Sequence, residues 1–207
     1  MRSASKKVFF ADYVFYISKN VYEPAEDSFL FAENLTVKEG DTILDVGTGC
    51  GILGIIAAEK ASNVFAIDVN PYAVRCAKKN AKLNNVSDKM FIVQCDLFAA
   101  MRTGQKFNSI FFNAPYLPSG DLKNANWLER AWLGGVEGRQ IIDRFICGSP
   151  KYLEENGCVF LMQSTLSGFS ETLRKFEEND LKASIVARCD LPFFEAIALF
   201  KARQQIT

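Results

Sequence analysis

The sequence contains no histidine. That removes serine–histidine and cysteine–histidine nucleophiles, imidazole acid–base chemistry and zinc sites of the usual kind. Cysteine pairs are missing too: Cys50, Cys76, Cys95, Cys147, Cys158 and Cys189 are scattered without a short paired spacing. They read as small buried hydrophobes of a reducing compartment. Nor is there an excess of charge of one sign, since Lys+Arg and Asp+Glu both number 24. No global field draws the chain to nucleic acid or membrane, and a phosphate-backbone binder would be more basic. The cluster Lys78, Lys79 and Lys82 fits a solvated helix face. No run approaches the roughly 18 apolar residues of a membrane span, and Met1 to Lys7 lacks the apolar core of a secretion signal. The expected location is the cytoplasm.

What is present suits one sizeable core. The 207 residues are 49% apolar and show no repeat or linker, which predicts a single domain over 1–207. Strand-like runs cover Thr42–Val46, Val64–Ile67, Phe91–Gln94, Ser109–Asn113, Cys158–Met162, Ser184–Arg188 and Glu195–Phe200. Helical patterns cover Ile52–Lys60, Pro71–Leu83, Gly138–Tyr152 and Phe169–Glu178. This alternation predicts an α/β fold with a mainly parallel seven-stranded sheet covered on both faces. Only Cys189–Phe194 separates the last two strands, too little for a parallel crossover, so the final strand is expected to be antiparallel. Within the N-terminal segment 1–40, Val8–Ile17 reads as a hairpin and Glu26–Leu35 as a helix entered through Pro24.

The strongest local signal is Asp45-Val46-Gly47-Thr48-Gly49-Cys50-Gly51, between an apolar strand and a helix. Gly47, Gly49 and Gly51 permit close ligand approach, and the helix N-terminus offers free N–H groups. Gly49, Gly51 and Gly54 also satisfy the GxGxxG register of an NAD-dependent oxidoreductase. Three acids at successive strand ends, Asp45, Asp68 and Asp96, favour a different nucleoside cofactor, S-adenosyl-L-methionine. Asp68 suits bidentate acceptance from ribose hydroxyls. Asp96 suits the adenine amino group, with Leu97 or Phe98 packing on the ring, and Asp45 a place near the cationic methionine end, directly or through water. The competing expectation is that such acids cap helices, as Asp68 ahead of Asn70-Pro71 suggests.

The second signal is Asn113-Ala114-Pro115-Tyr116, after Ile110-Phe111-Phe112. With Val21-Tyr22-Glu23-Pro24-Ala25-Glu26-Asp27-Ser28, Trp132-Leu133-Gly134-Gly135 and Gly138-Arg139, it resembles the single-domain branch of the HemK-type methyltransferases over nearly the whole chain. The family motif is Asn-Pro-Pro-Tyr, so Ala114 is a departure. The resemblance implies a class I methyltransferase (Rossmann-like) fold, with 41–207 as the core and the helix of 1–40 over the cofactor. It implies transfer of a methyl group to the glutamine amide of the Gly-Gly-Gln motif of class I release factors, leaving S-adenosyl-L-homocysteine. It assigns Ser28, Asp45, Gly47, Asp68, Asp96, Leu97 and Asn113 to the cofactor or its methyl site. Catalysis falls to Asn113 and the Ala114 carbonyl, with Pro115 and Tyr116 shaping the site. Trp132 and its glycines fit either a substrate groove or a turn into the next helix, and Arg139 fits a helix-start ion pair.

The resemblance also implies a small zinc-binding activator protein, for which the apolar strand Phe91–Gln94, expected at the sheet edge, is the docking place. A rival substrate is the adenine amino group of DNA, weakened by the neutral charge and the lack of a target-recognition domain. The oxidoreductase reading leaves Asn113–Tyr116 unexplained.

Overall fold

In the computed structural model, residues 6–118 and 124–204 are described; the start of the Met1–Lys7 stretch, residues 1–5, lies outside them. Strands β1 (Lys6–Phe10) and β2 (Tyr13–Ile17) pair antiparallel as a separate hairpin. Helix α1 (Glu26–Glu33) follows, with Glu26 and Asp27 in its first turn, where acids oppose the positive end of the helix dipole. Then come β3 (Thr42–Val46), α2 (Ile52–Ala57), β4 (Asn63–Asp68), α3 (Pro71–Leu83), β5 (Met90–Gln94) and β6 (Phe107–Asn113). The second half contains α4 (Gln140–Gly148), β7 (Leu153–Ser164), α5 (Phe169–Glu177), β8 (Leu181–Asp190) and β9 (Ala196–Gln204).

Seven strands form one sheet in the order β5-β4-β3-β6-β7-β9-β8. Only β9 runs against its neighbours, antiparallel to both β7 and β8, as the short β8–β9 connection requires. Because side chains alternate along a strand, each central strand feeds two cores. Ile43, Phe111, Phe160 and Met162 pack with α1, α2 and α3 on one face. Leu44, Ile110, Phe112 and Leu161 pack with α4 and α5 on the other. Phe111 is fully buried and edge-on to both Phe31 and Phe160; truncating such a ring to Ala costs about 3–5 kcal/mol.

Three helices are shorter than their patterns suggest, α1 ending at Glu33, α2 at Ala57 and α4 spanning only Gln140–Gly148. After Ala57 the chain tightens into i→i−3 bonds, Glu59 N to Ile56 O and Lys60 N to Ala57 O. After Gly148, Ser149–Tyr152 is a 3-10 turn, since Pro150 has no N–H to continue the α ladder. Cys147 is exposed and Cys189 half-buried, unlike the other four thiols. Strand β5 is a sheet edge, with Ile92 turned inward while Phe91 and Val93 are 46% and 43% exposed. Lys78, Lys79 and Lys82 lie on the solvent side of α3.

Two asparagines of α3 decide where the hairpin sits. Asn80, fully buried, donates to Cys50 O and Tyr16 O and accepts from Tyr16 N. Asn84, one turn on, donates to Val14 O and accepts from Val14 N. Side chains at i and i+4 share a helix face, so this pair grips β2 and, through Cys50, ties the hairpin to the glycine loop.

Candidate active site

At the C-terminal edge of the parallel strands lies a cavity of about 580 Å³. Its walls come from seven sequence regions: Val21 to Ser28, the glycine loop after β3, the end of β4, the end of β5, Asn113–Tyr116, the Trp127–Leu133 segment, and Ile141 and Arg144 of α4. Strand ends at a switch in strand order are where open α/β sheets bind ligands; here β3 lies between β4 and β6.

The glycine loop is shaped by close approach. Gly47, Gly49 and Gly51 have φ of 63°, 57° and 93°, a region that side chains disfavour. A Cβ on Gly47 would lie 3.1 Å from the Phe112 ring, whereas at Gly49 the nearest atom is 3.9 Å away. Gly47 and Gly49 line the cavity; Gly51 does not. Its missing side chain instead lets α2 meet Ala77 of α3.

Of the three acids, Asp68 and Asp96 line the cavity and Asp45 does not. Asp45 is 1% exposed and stands behind the wall. Its Oδ2 accepts from Thr48 Oγ1 at 2.6 Å and Gly54 N at 3.1 Å, so it fastens the loop to α2 and does not line the cavity itself. The GxGxxG likeness has the same origin: a Cβ on Gly54 would sit 2.9 Å from Asp45 Oδ2. Asp45 Oδ1 is buried without a partner. Burial pushes its carboxyl up to about 7, against the hydrogen bonds from Thr48 and Gly54.

Asp68 lines the cavity and accepts from Asn70 N at 2.8 Å and Gly49 N at 2.9 Å. The cap of α3 is Asn70, whose side chain accepts from Tyr72 N, so Asp68 is left as a carboxylate at the wall. Burial raises its pKa to about 6, countered by those two backbone donors. Each oxygen still has an unused lone pair for a ribose hydroxyl.

Asp96 is on the wall but half-exposed, paired with Arg144 Nη2 at 2.8 Å. The sequence pattern did not pick out Arg144. Leu97 lines the cavity with a positive φ of 46°. The Cys95 thiol holds that turn, donating to Leu97 O at 3.1 Å and accepting from Ala100 N at 3.0 Å. Phe98 does not line the cavity; it stacks on Phe145 and Tyr152.

At the end of β6, Asn113 donates Nδ2 to Ser28 Oγ at 3.2 Å. Its Oδ1 is buried with no partner, an unmet acceptor of the kind that native structures rarely leave. Asp27, 5% exposed, takes hydroxyl donations from Ser28 and Tyr22 at 3.1 Å on Oδ1 and from Tyr116 at 3.3 Å on Oδ2. Burial and the Asp27 charge push both tyrosines upward, so the phenols stay protonated donors. Asp27 and Tyr22 were overlooked as site residues, although Tyr-x-Pro-x-x-Asp-Ser was on view; the contact to Tyr116 spans 89 positions.

Glycines 134 and 138 press their segment against this site. A Cβ on Gly134 would lie 2.6 Å from Pro115 O, and one on Gly138 2.2 Å from Tyr116 O. Leu117 N donates to Trp132 O and Gly134 N to Leu117 O, both at 2.8 Å. Trp132 therefore lines the cavity, and also an adjoining groove with Lys6, Lys19 and Tyr22. Arg139 pairs with Asp143 and donates to Ser167 O, the helix-start role.

A protein named as a candidate protein N5-glutamine methyltransferase, from Methanocaldococcus jannaschii, is 45% identical over 181 residues, 86% of this chain and 90% of its own length. The chain belongs to the protein N5-glutamine methyltransferase family. Within this family's range of relatives, mouse Methyltransferase HEMK2 is 27% identical, covering 88% of this chain and 89% of that one. The family model for ribosomal protein L11 methyltransferase (PrmA) matches residues 28–114, the stretch from Ser28 through the glycine loop to Ala114. Among solved structures, the Encephalitozoon cuniculi Mtq2–Trm112 complex has a chain with TM-score 0.68 and 23% identity, covering 90% of this chain and 99% of that one. The Methanocaldococcus jannaschii tRNA m1G37 methyltransferase reaches TM-score 0.73 at 19% identity, covering 100% of this chain and 56% of that one. At those identities the likeness is one of fold, and the fold is that of the Rossmann-like methyltransferases. The cofactor of this N5-glutamine methyltransferase family is S-adenosyl-L-methionine, and the residues fit it: a cradle open at Gly49, a wall carboxylate at Asp68 and a second at Asp96.

Proposed function

We propose that this protein methylates the glutamine side-chain amide of the Gly-Gly-Gln motif of a class I peptide-chain release factor, in the cytoplasm, with residues 1–207 working as one methyltransferase domain. The observation that carries this reading is the buried, unpartnered Oδ1 of Asn113. An amide nitrogen is a poor nucleophile because its lone pair is delocalised into the carbonyl. A fixed acceptor on its N–H returns electron density to nitrogen and orients it. Asn113 Oδ1 is such an acceptor, held by Ser28 through Nδ2. The Ala114 main-chain carbonyl is the second, and Pro115 keeps Ala114 extended. Tyr116 flanks the amide, its hydroxyl tethered to Asp27.

Asp68, Leu97 and Asp96 on the cavity wall would hold S-adenosyl-L-methionine, at its ribose, its adenine ring and its adenine amino group respectively. Bound there, S-adenosyl-L-methionine would supply an electrophilic methyl group; the amide nitrogen that takes it gives up one proton to solvent, and S-adenosyl-L-homocysteine is left. Asp45 and Gly51 act from behind by fixing Gly47 and Gly49.

The relatives support the substrate. An Aquifex aeolicus protein named release factor glutamine methyltransferase is 29% identical over 72% of this chain and 56% of its own. The Mtq2–Trm112 structure is described as responsible for methylation of the eRF1 termination factor. A small zinc-binding activator is the corresponding partner proposed here, pairing along β5, where Phe91 and Val93 are exposed. The deciding experiment incubates the protein with radiolabelled S-adenosylmethionine and, separately, release factor, DNA and a histone-like protein. Label on the release-factor glutamine is expected; label on DNA alone overturns the proposal.

A further inference from the structure

The turn between β8 and β9 exposes two adjacent aromatic rings. Phe193 and Phe194 are 98% and 106% exposed, above every other large apolar residue described, the next being Val136 at 76% and Phe9 at 66%. Both also hold left-handed backbone, with φ of 63° and 62°, a conformation unfavourable for bulky residues. The strain is maintained by anchors on each side. Leu191 N donates to Glu195 O at 2.8 Å, Ala196 N donates to Thr165 Oγ1 at 3.0 Å, and Glu195 accepts from Ser164 Oγ at 2.6 Å. Leu191 packs into the same core cluster as Tyr116.

The position is set by the topology. Strand β8 runs parallel to β6 and β7, so its end at Asp190 lies on the same sheet edge as Asn113. Helix α1, which carries Asp27 and Ser28, packs on β8 and β9. The Glu195 charge also acts on Tyr116. Leu166, 49% exposed, follows Thr165 and extends the apolar surface. Neither ring lines the cavity, so a cofactor seated there leaves them uncovered. What arrives at this edge is the macromolecule that delivers the target side chain.

We propose that Phe193 and Phe194 form the docking tip for the protein substrate, inserting into an apolar surface of the release factor beside the loop that carries the glutamine. This rests on the function proposed above. Exposed aromatic anchors of this kind supply much of an interface's energy.

The test uses the full chain, with its activator if activity requires one, and compares wild type with Phe193→Ser/Phe194→Ser and with Phe193→Trp/Phe194→Trp. For intact release factor the serine variant is expected to raise KM roughly 10–100-fold, the loss of one or two aromatic anchors. Its kcat, its melting temperature and the thermal shift caused by S-adenosylmethionine are expected to stay at wild-type values, and the tryptophan variant to restore KM. An unchanged KM overturns the docking role, as does a fall in kcat alone. A wild-type dimer that the serine variant abolishes while KM stays constant assigns the rings to self-association and overturns it too. A wild-type protein that labels no release factor overturns both this assignment and the proposed function.

Discussion

Asn113 and Ser28, 85 positions apart, are joined by an Nδ2-to-Oγ hydrogen bond of 3.2 Å that leaves Asn113 Oδ1 buried without a partner. The side chain is thus fixed by its donor end while its acceptor end stays free. Replacing Asn113 with Ala removes that acceptor, and the chemical rate is expected to fall by ~10²–10³, the usual loss of one preorganised polar group. Cofactor affinity should change little. Single-turnover label transfer alongside calorimetric binding separates the two, and a wild-type rate would mean that the site is wrongly assigned.

Ser28→Ala leaves Asn113 in place but without its orienting partner. The rate should fall by roughly tenfold, the effect of losing about 1.4 kcal/mol of positioning. Ser28→Thr keeps the hydroxyl and should restore most of it. If Ala and Thr behave alike, the hydroxyl has no orienting role.

Asp68 offers a test by pH. Burial raises its carboxyl to about 6 and that of Asp45 to about 7, above the ordinary value near 3.9 for Asp. The protonated forms are therefore favoured by folding, and the free protein should lose stability as pH rises from about 4 through 7. Cofactor binding runs the other way, because ribose hydroxyls donate to the carboxylate. Affinity should weaken about tenfold per pH unit below 6. Calorimetry from pH 5 to 8 should detect proton release on binding, and Asp68→Asn should remove the component near pH 6. Asp68→Ala should cost about 1.5–3 kcal/mol of affinity per hydrogen bond lost. A shift with NAD and none with S-adenosylmethionine would contradict the cofactor.

Ala114→Pro restores the residue of the resembled motif and keeps the backbone carbonyl, so the rate should change little. The structure adds a cost, since Ala114 N donates to Met162 O at 3.3 Å. Losing that bond should lower stability by about 1 kcal/mol, read by chemical denaturation. A large loss of rate at unchanged stability would show that the carbonyl geometry depends on alanine.

Gly134→Ala places a methyl group 2.4 Å from Gly138 O and 2.6 Å from Pro115 O. Backbone cannot yield as a side-chain tip does, so Asn113–Tyr116 must shift. A misplacement near 1 Å costs on the order of 10²-fold in rate. Gly104→Ala meets nothing within 4 Å, though alanine at its φ of 82° would be strained; it serves as the control for backbone strain without displacement of the site.

The strands, the acids at their ends and the two motifs were legible because each is local. Alternating apolar positions report a half-buried strand, and Asp45, Asp68 and Asp96 stand where parallel strands finish. The antiparallel β9 could be deduced as well, from a connection too short to cross over. What only the tertiary structure decided is which of these groups face the cavity. Asp45 and Gly51 belong to the glycine motif, yet they turn to α2 and α3 because Gly54 and Ala77 approach there without intervening side chains. Asp27, Tyr22 and Tyr116 have no periodic signature; they meet because α1 is laid over the sheet edge. Sequence carries the period of each element, since period follows from backbone geometry. The pairing of side chains tens of residues apart depends on how elements cross, which is set by packing of the whole core.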